Sequence, residues 1–127
     1  MKISFVGTGY VGLVSGVMMS HLGHEIVCLD VDESKITKLK NKEAPIYEPG
    51  LDKYIEKYAN TQSLQFVHEY DSTIANSDCL FITVGTPSKE NGDADLSGIF
   101  QAVTSASNYI SPECVIVLKS TVPPGTC

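Results

Sequence analysis

A chain of 127 residues with 43% hydrophobic and 19% charged residues suffices for one folded domain with its own core and is too apolar for disorder. Its formal net charge of −6 disfavours any general affinity for nucleic acid or anionic lipid, so a phosphorylated ligand has to be held by local geometry. Its four cysteines, with no C-x-x-C pair and no Cys/His run at zinc spacing, exclude a disulfide scaffold and a metal centre and fit a reducing cytoplasm.

The first apolar run, Ile3-Ser4-Phe5-Val6, predicts a buried strand. It starts too close to Met1-Lys2 to leave room for a secretory signal, and no apolar stretch of the chain is long enough to cross a membrane. The run enters Gly7-Thr8-Gly9-Tyr10-Val11-Gly12, after which the pattern Val11, Val14, Val17, Met18, His21, Leu22 predicts a helix and Glu25-Ile26-Val27-Cys28-Leu29 a second strand ending at Asp30. This is the strand, glycine turn, helix, strand context of a dinucleotide site. Gly7 accepts the positive φ of a sharp turn. Gly9 lets the backbone approach a pyrophosphate, and Gly12 lets the helix pack on the sheet. The unpaired amides and positive dipole end of the new helix face the anion. Asp30 follows Gly12 at close to the spacing of about 20 residues at which an acid accepts hydrogen bonds from the adenosine ribose. With Asp32 and Glu33 close behind, it repels a 2′-phosphate, so NAD is expected and NADP disfavoured.

A helix is predicted over 33–42, with Ile36 and Leu39 inward, lysines outward, and Asp32 or Ser34 as its cap. Lys35, in its first turn, either reaches the adenosine side of the cofactor or is simply solvated. The prolines and glycine of Ala44-Pro45-Ile46-Tyr47-Glu48-Pro49-Gly50-Leu51 predict a shaped loop. A helix over 51–58, a strand over 64–67 and a short helix over 72–76 follow. Cys79-Leu80-Phe81-Ile82-Thr83-Val84 reads as a strand emptying into Gly85-Thr86-Pro87 at its carboxyl end, the side on which open α/β sheets bind ligands. Residues 88–95 are expected to form a mobile polar loop, either solvated or closing over a ligand. A helix over 96–110 follows, with Ile99, Phe100, Val103 and Ala106 expected in the core. The last strand, over 114–118, opens into Lys119-Ser120-Thr121-Val122-Pro123-Pro124-Gly125-Thr126. Cys28, Cys79 and Cys114 read as small core residues, and His21, His24 and His68 as surface or helix-end residues. The alternation predicts an α/β, Rossmann-type doubly wound parallel sheet with helices on both faces. Because the last strand ends in a proline-rich loop, a fragment of a longer enzyme is expected, its last apolar edge exposed.

Four stretches together go beyond a generic dinucleotide fold: Gly7-Thr8-Gly9-Tyr10-Val11-Gly12, Pro45-Ile46-Tyr47-Glu48-Pro49-Gly50-Leu51, Val84-Gly85-Thr86-Pro87 and Lys119 to Thr126. In their order and spacing the whole chain, 1–127, resembles the N-terminal NAD-binding domain of the UDP-glucose/GDP-mannose dehydrogenase family. Tyr47 and the continuation Gly12-Leu13-Val14-Ser15-Gly16 look closest to its UDP-glucose branch. The resemblance implies an enzyme that oxidises UDP-glucose to UDP-glucuronate in two NAD-dependent steps, with GDP-mannose or UDP-N-acetylmannosamine as the alternative substrate. It places Gly7, Gly9, Tyr10, Val11, Gly12, Asp30, Lys35, Thr86 and Thr121 at NAD-contacting positions, and gives the Thr121 hydroxyl a second, catalytic role in holding a water. Ser and Thr at a strand end also bond their own backbone, which is the other reading of Thr121. The family's nucleophilic cysteine, its central helix and its UDP-sugar-binding domain lie in a part of such enzymes that this sequence does not contain. Cys127, outside the glycine-rich motif of that nucleophile, does not replace it. The expectation is therefore no turnover by this chain alone, with a full-length enzyme that is a homo-oligomer. A stand-alone NAD-sensing module and a Rossmann dehydrogenase acting on a small hydroxy acid are the competing readings, and the latter leaves the proline-containing motifs unexplained.

Overall fold

Strands that are apolar on both faces have to be covered on both, and strand-to-strand connections long enough to hold a helix allow them to pair in parallel. The computed structural model describes all 127 residues as this arrangement. In chain order it comprises β1 (Lys2–Val6), α1 (Tyr10–His21), β2 (Glu25–Leu29), α2 (Glu33–Lys40), α3 (Leu51–Tyr58), β3 (Leu64–Val67), a single 3-10 turn (Ser72–Ile74), β4 (Cys79–Ile82), α4 (Ser97–Ser107) and β5 (Val115–Leu118). The five strands are all parallel in the order β3-β2-β1-β4-β5. The chain winds outward from β1 in one direction through β2 and β3, then returns to its other side for β4. The carboxyl ends of β1 and β4, where Val6 pairs with Ile82, therefore form the switch-point crevice.

Successive residues of each strand point to opposite faces. Ile3, Phe5, Ile26, Cys28 and Phe66 join Leu13 and Val17 of α1, Ile36 and Leu39 of α2, and Leu51 and Ile55 of α3 in one core. Val6, Val27, Leu29, Leu80 and Ile82 join Ile99, Ala102 and Ala106 of α4 in the other. Helices thus cover both faces, as expected.

Two helix faces differ from the apolar pattern. On α1 the buried side is Gly12, Leu13, Gly16, Val17 and Ser20, whereas Val11, Met18, His21 and Leu22 are exposed. Small residues win because the helix lies so close to the sheet that a Cβ on Gly16 would come within 2.7 Å of the Cys28 sulfur. On α4, Ile99, Ala102 and Ala106 are buried and Val103 is half-buried, but Phe100 is 61% exposed. Alanines, not the larger Phe100, make the close contact with the sheet.

Both outer helices are shorter than read, α2 ending at Lys40 and α4 spanning Ser97–Ser107, and β4 ends at Ile82 rather than running to residue 84. Asp32 is the cap of α2, accepting from the amides of Ser34 at 3.0 Å and Lys35 at 3.4 Å. Cys28 is in the core, but Cys79 and Cys114 are only half-buried, because they stand at the entry to β4 and just before β5, near the sheet's margin. On β5, Val115 and Ile116 are 57% and 44% exposed, so the expected apolar edge is there. Residues 88–95 are polar and mostly exposed, with the turn closed by Lys89 N–H donating to the Asp93 carbonyl at 2.7 Å. No helix is long and apolar enough to cross a membrane.

Candidate functional site

The chain leaves β1 through Gly7, whose φ of +101° is one that side-chain-bearing residues rarely adopt. Space forbids a side chain there as well, since a Cβ would fall 2.8 Å from the Thr83 carbonyl oxygen. Gly12 is equally constrained: a Cβ would collide with the Gly7 carbonyl oxygen and the Thr83 hydroxyl. Gly9 differs from both. Its φ of −69° suits any residue, and no protein atom lies within 4 Å of where its Cβ would be. Packing does not require this glycine, whereas close approach of a ligand to the backbone would.

Gly9 is also the N-cap of α1, with no side-chain hydrogen bond on the helix's first amides and no acidic residue in its first turn. The first helical bond runs from Leu13 N–H to the Gly9 carbonyl at 3.0 Å. The amides of Tyr10, Val11 and Gly12 precede it, and the dipole makes this end positive. Tyr10 and Val11 flank it, 55% and 44% exposed. The combination fits the pyrophosphate of a dinucleotide.

Asp30, at the end of β2, is 8% exposed. Its Oδ2 accepts from the Thr8 N–H and the Thr8 hydroxyl, both at 2.7 Å, and its Oδ1 from the Asp32 N–H at 3.0 Å. Lys35 Nζ stands 3.7 Å from Oδ2, which directs this lysine to the site although its side chain keeps 42% exposure. A carboxylate has room for about four donors, so Asp30, which lines the cleft, retains acceptor capacity at Oδ1. Asp32 itself is held below the usual carboxylate range, first by the Ser34 hydroxyl and then by the amides of Lys35 and Ser34.

These groups open onto a cleft of about 440 Å³. Gly7, Gly9, Asp30 and Lys35 line it, together with Val31, Tyr70, Thr83, Val84 and Gly85, and with Gly98, Gln101 and Ala102 of α4. Burial, and then the negative charge of Asp30, raise the pKa of the Tyr70 phenol. Of the other predicted residues, Gly12 lies beneath the glycine turn, and Tyr10 and Val11 are beside it. Thr86 and Thr121 lie outside the walls of this cleft but meet each other, the Thr86 hydroxyl donating to the Thr121 carbonyl at 2.9 Å. The Ser120 hydroxyl donates to the Val84 carbonyl at 2.6 Å, tying the loops after β4 and β5 together. Sequence reasoning did not single out Thr8, Thr83, Tyr70 or Gln101. Thr8 and Thr83 had a signal, as polar residues inside the glycine motif and at the end of an apolar strand; Tyr70 and Gln101 had none.

The whole chain, residues 1–127, matches the profile described as the UDP-glucose/GDP-mannose dehydrogenase family, NAD binding domain. It is 53% identical over 127 residues to the UDP-glucose 6-dehydrogenase of Rickettsia bellii, all of this chain and 29% of that protein. To UDP-glucose 6-dehydrogenase TuaD of Bacillus subtilis it is 48% identical over 125 residues, 98% of this chain and 27% of that one. The fold superposes on GDP-mannose dehydrogenase from Pseudomonas aeruginosa, solved as a ternary complex, with a TM-score of 0.92 at 38% identity, covering 99% of this chain and 30% of that one. It superposes on UDP-D-ManNAc dehydrogenase from Pyrococcus horikoshii with a TM-score of 0.93 at 28% identity, covering 99% and 30%. The chain thus spans less than a third of the length of these relatives. A glycine turn opening onto a helix N-terminus, an acid at the end of β2, and a profile match from the first residue to the last converge: the chain belongs to the UDP-glucose/GDP-mannose dehydrogenase family, of which it is the NAD-binding domain.

Proposed function

We propose that this chain holds the cofactor of an enzyme that oxidises the C6 alcohol of UDP-glucose to the carboxylate of UDP-glucuronate, in two NAD-dependent steps. The observation that carries the choice of sugar is the roughly half identity, over the whole chain, to several proteins named UDP-glucose 6-dehydrogenase. When bound, NAD supplies the hydride acceptor for each step. The residues of this chain bind and orient it. The amides at the start of α1 hold the pyrophosphate over Gly9, and Asp30 accepts from the ribose hydroxyls while its charge, with Asp32 and Glu33 beyond it, opposes a 2′-phosphate. Lys35 contacts the adenosine side, and Tyr10, Val11 and Thr86 complete the cofactor's contacts. The Thr121 hydroxyl, at the carboxyl end of the sheet beside Thr86, holds a water near the reacting carbon.

The nucleophile for the second oxidation and the UDP-sugar site belong to a further part of such an enzyme, so the 127-residue chain binds NAD without turning over. The full-length protein works in the cytoplasm as a homo-oligomer. The test is the NADH released per sugar by the full-length protein, with UDP-glucose, GDP-mannose and UDP-N-acetylmannosamine in parallel. Two NADH from UDP-glucose alone are expected. Release from another sugar only would overturn the substrate, and NADH formation by the 127-residue chain alone would overturn the division of labour.

A further inference from the structure

The glycine turn is closed from the neighbouring strand by Thr83, the residue immediately after β4, and its three polar groups all face the end of β1. Its N–H donates to the Val6 carbonyl at 2.8 Å, and its own carbonyl oxygen lies 2.8 Å from where a Cβ on Gly7 would fall. Its buried hydroxyl sits 2.8 Å from the Gly7 carbonyl oxygen and 2.9 Å from that of Val6. A hydroxyl has one proton to donate. The Val6 oxygen already holds the Thr83 N–H, and no main-chain donor reaches the Gly7 oxygen, so the proton goes to Gly7. On the far side of the same peptide unit, the Thr8 N–H donates to Asp30 Oδ2 at 2.7 Å. A trans peptide carries its C=O and N–H in opposite directions, so the Gly7–Thr8 unit is gripped at both ends, by Thr83 and by Asp30. Gly12, lacking a Cβ, provides the space in which this grip is made.

We infer that Thr83 is a positioning residue of the pyrophosphate site: its hydroxyl fixes the plane of the Gly7–Thr8 peptide, keeps the Gly7 carbonyl turned inward, and thereby sets the following amides toward the phosphates. The inference rests on the reading that the pyrophosphate of NAD lies over Gly9 and the first turn of α1. Without the hydroxyl the Gly7 carbonyl has no partner. The peptide can then swing, and a rotated carbonyl brings the negative end of its dipole toward a bound anion.

The experiment titrates the chain and its Thr83→Val, Thr83→Ala and Thr83→Ser variants with NAD and with adenosine by calorimetry, under conditions where circular dichroism shows each to be folded. Thr83→Val is expected to lose about tenfold or more in NAD affinity, the scale of an unpaired buried polar group. Adenosine, which has no pyrophosphate and meets this peptide only through Asp30, loses clearly less than NAD, and Thr83→Ser stays within about twofold of the parent for both ligands, on the same scale. Should Thr83→Val not fold, Thr83→Ala against Thr83→Ser makes the same comparison. Three results overturn the inference: unchanged NAD affinity without the hydroxyl, an equal loss for NAD and adenosine, or a serine variant as weak as valine. If the parent chain itself bound no NAD, the underlying reading of the site would fail instead, before any variant was compared.

Discussion

Replacing Asp30 by asparagine removes one charge from a nearly buried side chain while leaving its size unchanged, and the contacts around it set the cost. Oδ2 accepts two hydrogen bonds from Thr8 at 2.7 Å, and Oδ1 accepts one from the Asp32 N–H at 3.0 Å. An asparagine has a single acceptor oxygen. Turned toward Thr8, it leaves its NH₂ facing the Asp32 N–H, donor against donor. Bonds to a charged acceptor contribute about 1.5–3 kcal/mol and neutral ones about 0.5–1.5, so loss of charge assistance on the Thr8 pair removes about 2 kcal/mol and the forfeited third bond, also to the charged carboxylate, about 2. Relief of the buried charge's desolvation offsets part of this, and the partly exposed Lys35 pair adds too little to count. The expected loss of unfolding free energy is about 2–3 kcal/mol without any ligand. With m near 2 kcal/mol/M, the urea midpoint falls by about 1–1.5 M. NAD affinity of the folded variant falls in addition by roughly 5- to 150-fold, about 1–3 kcal/mol, and the preference for NAD over NADP narrows. Urea unfolding followed by circular dichroism reads the first effect, and calorimetric titration with NAD and NADP the second. An unchanged urea midpoint would refute the Thr8–Asp30 grip, and an unchanged NAD affinity would remove Asp30 from the cofactor site.

The motif glycines separate by role. Gly12→Ala, whose Cβ would meet the Gly7 carbonyl and the Thr83 hydroxyl, should cost about 1–3 kcal/mol in urea unfolding as an overpacked site. Gly9→Ala should leave the midpoint almost unmoved, because nothing in the protein meets its Cβ, yet weaken NAD in the same calorimetric titration; a large stability loss at Gly9 would contradict the open cradle. Asp32 has a lowered pKa in the folded chain, from the Ser34 hydroxyl above all, so its capping contribution is present above its ordinary value of 3.8 and is lost as pH falls through the lower folded value. Urea titrations across that range should show a shallower acid limb for Asp32→Asn, which keeps the cap but cannot titrate; an identical limb would mean that other carboxylates dominate. Burial pushes the Cys28 thiol up to about 12, whereas Cys127 is exposed. Alkylation at neutral pH followed by peptide mass spectrometry should label Cys127 first and Cys28 only on unfolding, and early labelling of Cys28 would mean that the α1 face opens more easily than its packing indicates.

The local parts of this fold were legible in the chain. Leu51–Tyr58 and Leu64–Val67 form where their residue pattern put them, because periodicity and punctuation by proline and glycine act over a few neighbours. The glycine turn was legible for the same reason: Gly7 needs its positive φ and Gly9 its open backbone whatever else surrounds them. Helix faces were less so. The apolar stripe Val11, Met18, Leu22 of α1 faces outward, and Phe100 of α4 with it, because close packing on a sheet selects small side chains over large ones, and hydrophobicity alone does not report distance. Lys35 was ambiguous in sequence, and only the fold brings it 3.7 Å from Asp30 and onto the wall of the cleft.

By itself, the sequence determined the alternation of strands and helices, the turn into α1, the acid at the end of β2 and, through motifs in a fixed order, the family. Tertiary structure alone decided which distant residues serve that turn. Thr8 meets Asp30 across 22 positions and Thr83 meets Gly7 across 76, while Tyr70 reaches the same cleft from the loop after β3 and Gln101 from α4. The reason is physical. Backbone preference and burial are properties of a residue and its neighbours, whereas a hydrogen bond between two strands exists only once the order β3-β2-β1-β4-β5 has brought their carboxyl ends side by side.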